Sequence, residues 1–305
     1  MSDETTSKYS VKDKVAIVSG SSRGIGKEVA LKLAEEGCHV AILAKTDKPH
    51  PTLEGTIHMT AEAVQKNGVE ALPIVCDIRY EEQIDKAINQ IIAKFGRIDY
   101  VINNASAIYL TDTQETTAKQ FDLMFGVNVR GTYLLSRAAI PFLKQSPNPH
   151  IVNFAPPLVI DAVNFYSHLP YTMSKYGMSM CTIGMAHEFF HDNIAVNSLW
   201  PRTIVKTAAL DRVGAGAISD KYARKPRIMA DATYAILKKP SQAATGTFLI
   251  DDLVLQADGV KDFDQYACEA GHPLIADLFL PHDLAPPPAG VIVQSFNLNA
   301  IDKKH

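Results

Sequence analysis

One rhythm restricts this chain more than any other feature. From residue 15 to about residue 251, apolar runs of strand length alternate with segments of helical length and period. Residues 15–19, 40–44, 71–76, 100–103, 150–154, 195–199 and 247–251 read as strands. Residues 24–36, 56–66 and 80–95 read as helices between the first four. The last helix carries Ile84, Ala87, Ile88, Ile91, Ile92 and Phe95, whose offsets of 3, 4, 7, 8 and 11 draw a single apolar stripe. The strands are apolar almost throughout rather than at alternate positions, so both faces of their sheet must be covered. Strands joined by helical crossovers make a parallel sheet. The expected fold is α/β, a doubly wound parallel sheet in a single domain.

Two stretches fall outside the rhythm. Residues 45–55, polar and interrupted by Pro49 and Pro51, form a loop longer than an ordinary strand–helix joint. From about Asp262 the periodicity fails, and residues 281–290 hold four prolines. The domain is therefore expected to span 1–261. Residues 262–305 would be a C-terminal extension, packed over the domain or partly disordered, and too short for a second domain.

Composition removes several classes of function. Lys plus Arg number 30 against 33 for Asp plus Glu, so the near-neutral chain has no charge with which to seek nucleic acid or an anionic membrane. No apolar run approaches the roughly 18 residues of a membrane span, and the first residues lack the apolar core of a secretory signal. Cys38, Cys76, Cys181 and Cys268 are far apart and form no C-x-x-C pair, which suits reduced thiols. The expectation is an intracellular, soluble protein, cytoplasmic by default with organelle import left open.

Directly after the first strand stands Gly20-Ser-Ser-Arg-Gly24-Ile-Gly26, opening the first helix. Glycines at such a junction permit a tight turn, close approach of a pyrophosphate, and close packing of helix on sheet. The helix N-terminus offers N–H donors to the phosphates. This strand–turn–helix context points to dinucleotide binding in a Rossmann-type sheet.

The G-x-x-x-G-x-G spacing resembles that of the short-chain dehydrogenase/reductase family, and the resemblance continues down the chain. Asp77 closes the third strand, followed by Ile78, and Asn103-Asn-Ala-Ser106 ends the fourth. Asn128-Val-Arg-Gly131, Tyr171-Thr-Met-Ser-Lys175 and Asn197-Ser-Leu-Trp-Pro201 follow in family order over about 240 residues. Further stretches, among them Ala155-Pro-Pro157 and Gly271-His-Pro273, resemble a subgroup whose members often carry a sterol-carrier domain after the reductase domain. The resemblance implies that Gly20, Ser22, Arg23, Gly24, Ile25, Gly26, Lys45, Asp77, Ile78, Asn104, Ala105, Tyr171, Lys175 and Ile204 hold the cofactor. It implies that Tyr171, Lys175 and Asn128 are catalytic, with Lys175 on the nicotinamide ribose and Asn128 positioning a relay water. It also implies assembly into a homodimer or homotetramer through helices near 117–143 and 170–190.

NAD-selective sites of this kind place an acid at the end of the second strand to bind the ribose hydroxyls. Ala44 stands there, followed by Lys45, and Arg23 adds a second cation suited to bidentate phosphate contact. NADP(H) is expected over NAD(H). Tyr171 and Lys175, four apart, share a helix face. A phenol near pKa 10 is a poor acid–base group at neutral pH, and a neighbouring ammonium together with the oxidised nicotinamide's positive charge would lower it toward phenolate. Tyr171 would then exchange a proton with the substrate oxygen as hydride moves at carbon.

One departure stands out. Ala155 and Pro156 follow the fifth strand where the family's catalytic serine is usual, and neither has a hydroxyl. Asn164, Ser167 or His168, in a loop slightly longer than usual, are open substitutes. A competing motif, His187-Glu-Phe-Phe-His191, fits H-E-x-x-H, which on a helix could bind zinc. It lies at a helix end remote from the cofactor turn and has no evident third ligand, so no metal is expected. The expected function is an NADP(H)-dependent oxidoreductase that interconverts a carbonyl and an alcohol on a fairly apolar small molecule. Residues 156–169 and 202–228 would wall its substrate. The alternative is an NADP(H)-binding protein with weak or no turnover.

Overall fold

The fold, taken from a computed structural model, is described for residues 9–49, 51, 53–212 and 216–295. In chain order it comprises β1 (Val15–Ser19), α1 (Gly24–Glu35), β2 (His39–Ala44), α2 (Ile57–Gln65), β3 (Ala71–Val75), α3 (Glu81–Phe95) and β4 (Tyr100–Asn103). Then follow α4 (Ala118–Met124), a π-helical turn (Phe125–Gly131), α5 (Thr132–Leu143), β5 (His150–Asn153), α6 (Leu169–Glu188) and β6 (Ala195–Trp200). The remainder holds α7 (Ala208–Arg212), α8 (Gly216–Tyr222), α9 (Arg227–Leu237), β7 (Phe248–Ile250), α10 (Asp251–Ala257), β8 (Leu274–Ile275) and β9 (Val293–Gln294).

Seven strands form one parallel sheet in the order β3-β2-β1-β4-β5-β6-β7. The order reverses between β1 and β4, which leaves a crevice at the carboxyl ends of those two strands. Successive residues of β1 feed opposite faces, as the two-residue period of a strand requires. Ala16 and Val18 join a core with α1, α2, α9 and α10, whereas Val15 and Ile17 join one with α3, α5 and α6. The apolar strands thus lie between two helical layers.

Local chemistry sets several boundaries. Thr56 caps α2 by accepting from Met59 N–H at 3.2 Å. Thr117 and Gln120 form a reciprocal capping box on α4. Gly96 ends α3 at φ +72°, a conformation glycine adopts without steric penalty. The last strand is shorter than its periodicity suggests, because Asp251 begins α10. Asp251 and Asp252 are fully buried there with Arg202 and Arg224; Arg202 Nε donates to Asp252 Oδ2 at 2.7 Å and Arg224 Nη1 at 3.2 Å. Among the described residues no helix is long and apolar enough to cross a membrane.

Candidate active site

At the end of β1, Gly20 takes φ +68° and donates its N–H to Leu43 O of β2 at 2.7 Å. A Cβ on Gly20 would stand 2.8 Å from Ala105 Cα. A Cβ on Gly26 would stand 2.4 Å from Asn104 Nδ2 and 2.7 Å from Gly20 O. Both lie inside van der Waals contact, so turn, helix and the loop after β4 can meet only without side chains here. Asn104 secures the junction by donating to Ser19 O (2.7 Å) and Gly20 O (3.2 Å). Ser19 Oγ accepts from the N–H groups of Asn104 and Ala105, each at 3.1 Å. Ser22 is buried and Ile25 packs on the core below. Arg23 stands at the N-cap of α1, where no side chain caps the first N–H groups, and no acid occupies the first turn. The first N–H groups and the positive end of the helix dipole therefore face the crevice without an internal anion. A cradle closed to a Cβ at Gly20 and Gly26, beneath an uncapped helix start, fits a pyrophosphate.

Arg23 is tied down more firmly than its sequence position suggests. Its Nε and Nη2 donate to Glu54 O (3.0 Å) and Gly55 O (2.9 Å), clamping the loop before α2 onto the turn. Gly55, at φ +102°, would put a Cβ 2.4 Å from Ser22 O. The exposed cation at the end of β2 is Lys45, beside Ala44. Asp77 follows β3 and receives Arg79 at 2.9 Å on Oδ1 and 2.6 Å on Oδ2. Burial pushes its carboxyl up, but the Arg79 hydrogen bonds outweigh this and hold it below its ordinary range. Ile78 is buried against Gly131.

At the other side of the crevice, α6 carries Tyr171 and Lys175 one turn apart, 6% and 3% exposed. Lys175 Nζ donates to Phe154 O at 2.7 Å and stands 5.1 Å above the Trp200 ring. Burial pulls its ammonium down to about 7, against the charge of Asp277. The Tyr171 phenol departs from the sequence expectation. Burial pushes it above its ordinary range and the Asp277 charge adds to the effect, while Lys175 is turned to Phe154 O. Asn128 sits in the π-helical turn, a feature that recurs at functional sites. Its Nδ2 gives both protons, to Ala107 O and Ser174 Oγ at 2.9 Å each, and its Oδ1 accepts from Ala107 N–H at 2.7 Å. Ser174 Oγ in turn donates to Tyr171 O at 2.8 Å. Asn128 thus braces the Tyr171 turn, with no side-chain proton left for a relay water.

Ala155 is completely buried where a hydroxyl was sought. Of the substitutes, His168 is the one whose ring meets Tyr171, edge-on with centroids 6.4 Å apart. Thr172 Oγ1 donates its single proton to Asn164 O at 2.5 Å, so it accepts from His168 Nδ1 at 2.9 Å. Burial holds His168 below its ordinary pKa, hence neutral. In that tautomer Nε2 is an acceptor, not the donor that a developing alkoxide needs. Asn164 directs its amide to Val159 O (3.3 Å), and Ser167 is half-buried.

Ile204 is buried, but its N–H donates to Ile275 O and its carbonyl accepts from Arg224 N–H, both at 3.0 Å. His187 lies on α6, whereas His191 falls in a separate 3₁₀ turn after the helix ends, so the pair does not share a helix face. The sequence reading missed Ser174, Trp200, Asp277 and Phe279. Ser174 lies inside the Tyr-x-x-x-Lys stretch and could have been found there; the extension residues carry no periodic signal.

A sequence profile of short chain dehydrogenases matches residues 14–216. Hydroxysteroid dehydrogenase-like protein 2 of Danio rerio is 52% identical over 270 residues, which cover 88% of this chain and 64% of that protein. The Homo sapiens protein of that name is 51% identical over 263 residues, covering 86% and 62%. This chain therefore spans less than two thirds of the length of those relatives. The crystal structure of a short chain dehydrogenase from Mycobacterium thermoresistibile is 42% identical, with a TM-score of 0.86, covering 93% of this chain and 100% of that one.

Proposed function

Because this chain belongs to the short-chain dehydrogenase/reductase family, we propose that it is an NADP(H)-dependent oxidoreductase interconverting a carbonyl and an alcohol on a fairly apolar small molecule. The observation that carries this reading is the buried Tyr171–Lys175 pair on α6, set beside a crevice whose glycine turn admits no Cβ at Gly20 or Gly26. Gly20, Ser22, Gly24, Ile25 and Gly26 would hold the pyrophosphate by backbone groups. Asp77 and Ile78 would border the adenine, Asn104 and Ala105 the dinucleotide's middle, and Lys45 the 2′-phosphate. Arg23 would act mainly by holding the rim. NADP(H), when bound, supplies or accepts the hydride.

Tyr171 does the proton chemistry. Burial keeps its phenol protonated, which suits donation to a carbonyl oxygen gaining negative charge. A neighbouring positive charge would then favour the phenolate left behind, so the proton moves only as the substrate oxygen becomes basic. Lys175 would supply part of that charge and hold the nicotinamide ribose. The apolar surroundings, among them Leu158 and Phe165, exclude water and favour an apolar substrate.

Buried Ala155, with a neutral His168 beside Tyr171, favours a second reading: binding of NADP(H) with weak or no turnover. Loss of one oxyanion donor costs roughly 10²–10³ in rate. NADPH oxidation measured against a panel of apolar ketones and aldehydes separates the two. Turnover of at least one carbonyl is expected; tight NADPH binding without turnover of any would favour the second. We further propose that residues 1–261 form the reductase unit and 262–305 its extension. Assembly as a homodimer or homotetramer through α5 and α6 belongs to the same proposal. So does an intracellular setting, consistent with four cysteines that form no disulfide.

A further inference from the structure

The extension returns to the reacting end of the sheet. Ile204 N–H donates to Ile275 O at 3.0 Å, Thr203 bridges antiparallel to Ala276, and Asp277 N–H donates to Arg202 O at 2.9 Å. Next the Trp200 indole donates to Leu278 O at 2.8 Å. These bonds run the extension along the chain leaving β6. They deliver Phe279, at φ +67° and 2% exposed, into the centre of an aromatic cluster. Its ring centroid lies 6.1 Å from Tyr171, 5.7 Å from His168, 5.5 Å from Tyr176 and 5.9 Å from Trp200. Farther out, His282 meets Asp161 of the loop after β5 at 2.9 Å.

A left-handed backbone is unfavourable for a residue with a Cβ. Such a conformation persists when its surroundings over-determine it, and these outliers cluster at functional sites. Here the surroundings are Tyr171 itself and the rings around it. Two residues earlier, burial pushes the Asp277 carboxyl up to about 7, and its partial charge at neutral pH acts on both Tyr171 and Lys175. The extension therefore reaches the reacting pair by contact and by charge.

We propose that Phe279 is a specificity-determining residue: its ring is the wall on which the substrate's apolar body lies beside Tyr171, and its bulk limits which carbonyl compounds reach the Tyr171 hydroxyl. This rests on the oxidoreductase reading above. Tyr171 is nearly enclosed, so access to its hydroxyl is set by the side chains packed on it. Phe279 is supplied from outside the strand–helix alternation and meets the sheet only at the ends of β6 and β7, through Trp200 and Ile250. An aromatic face also suits flat, apolar ring systems, whose stacking orients the carbonyl.

The test uses the full chain with Phe279→Gly, which fits the left-handed backbone and removes the ring, and Phe279→Leu, which keeps an apolar filling. Each is assayed with NADPH on cyclohexanone, a two-ring ketone and a four-ring ketone. Phe279→Gly should raise the kcat/KM ratio of four-ring to one-ring ketone at least tenfold, chiefly through KM, and Phe279→Leu should fall between it and the parent. A ratio that stays within twofold, or a uniform change for all three ketones, overturns the proposal. If the parent turns over none of them and no carbonyl of the wider panel, the oxidoreductase reading fails by itself. The wall is then tested by fluorescence of Trp200, the chain's one tryptophan. The four-ring ketone should shift its emission and bind Phe279→Gly at least tenfold more tightly than the parent; equal affinity overturns the assignment.

Discussion

Gly26→Ala adds one methyl group where the structure has no space for it. The new Cβ would lie 2.4 Å from Asn104 Nδ2 and 2.7 Å from Gly20 O. The carbonyl belongs to the backbone of the turn, so it cannot yield as a flexible side chain would. Overpacking a close-packed site costs about 1–3 kcal/mol. Displacing Asn104 would also break its bonds to Ser19 O and Gly20 O, adding about 1 kcal/mol. The expected loss is therefore about 2–4 kcal/mol. Unfolding entropy near 2.1 cal/mol/K per residue gives about 0.64 kcal/mol/K for 305 residues. Calorimetry should then show Tm lower by about 3–6 °C. NADPH affinity should fall at least about tenfold, because the displaced turn is the one proposed to hold the pyrophosphate. Gly184→Ala is the control. It sits on the exposed face of α6 with nothing within 4 Å of its Cβ, so it should stabilise by about 0.5–1 kcal/mol and leave affinity unchanged. Parental Tm and NADPH affinity in Gly26→Ala would refute the reasoning.

Three further outcomes are expected. Lys45→Ala should weaken NADPH binding about tenfold or more while leaving NADH nearly unchanged, since a charge-assisted contact is worth about 1.5–3 kcal/mol; equal losses for both cofactors in calorimetry would remove Lys45 from the 2′-phosphate. Burial lowers His150 to about 4 from 6.5, so between those values the unfolded chain takes up a proton that the folded one refuses. Stability should fall as pH drops through that window, by up to about 3 kcal/mol, and denaturant titrations of His150→Gln should lack this part of the slope. Met180 (63% exposed) and Ile183 (46%) on α6 and Tyr133 (48%) on α5 are large apolar side chains left in solvent on the two helices proposed to assemble. Light scattering should give at least twice the 33.3 kDa chain mass, and Met180→Lys should reduce it to one chain; a monomeric parent would reject the assembly.

The sheet was legible because a parallel strand buried on both faces writes itself as a continuous apolar run, as in Val15–Val18. The glycine turn was legible because only glycine satisfies Gly20 and Gly26 at once. Tyr171 and Lys175 followed from their four-residue spacing on a helix. Other features have causes that lie far away in the chain. Arg23 reads as a phosphate ligand, and its second task of holding Glu54 and Gly55 appears only when the chain brings them against it. Asn128 reads as a relay residue, but that its amide also braces Ala107 and Ser174 could not be read from the sequence. His187 and His191 match a zinc-binding spacing that the sequence reading set aside, and the chain leaves α6 after Glu188 and turns through Asn193 at φ +58°. Phe279 had no signal at all, because what places it is the pairing of residues 203–204 with 275–276 rather than any local pattern.

The central claim is that Tyr171 exchanges the substrate's proton. Tyr171→Phe keeps the ring and its packing on His168 and Phe279 and removes only the hydroxyl. On the best carbonyl substrate of the parent, kcat should fall about 10²–10⁴-fold. NADPH affinity measured by calorimetry in the same preparation should remain within about threefold, because the glycine turn and Lys175 are untouched. Full turnover by Tyr171→Phe would contradict the account.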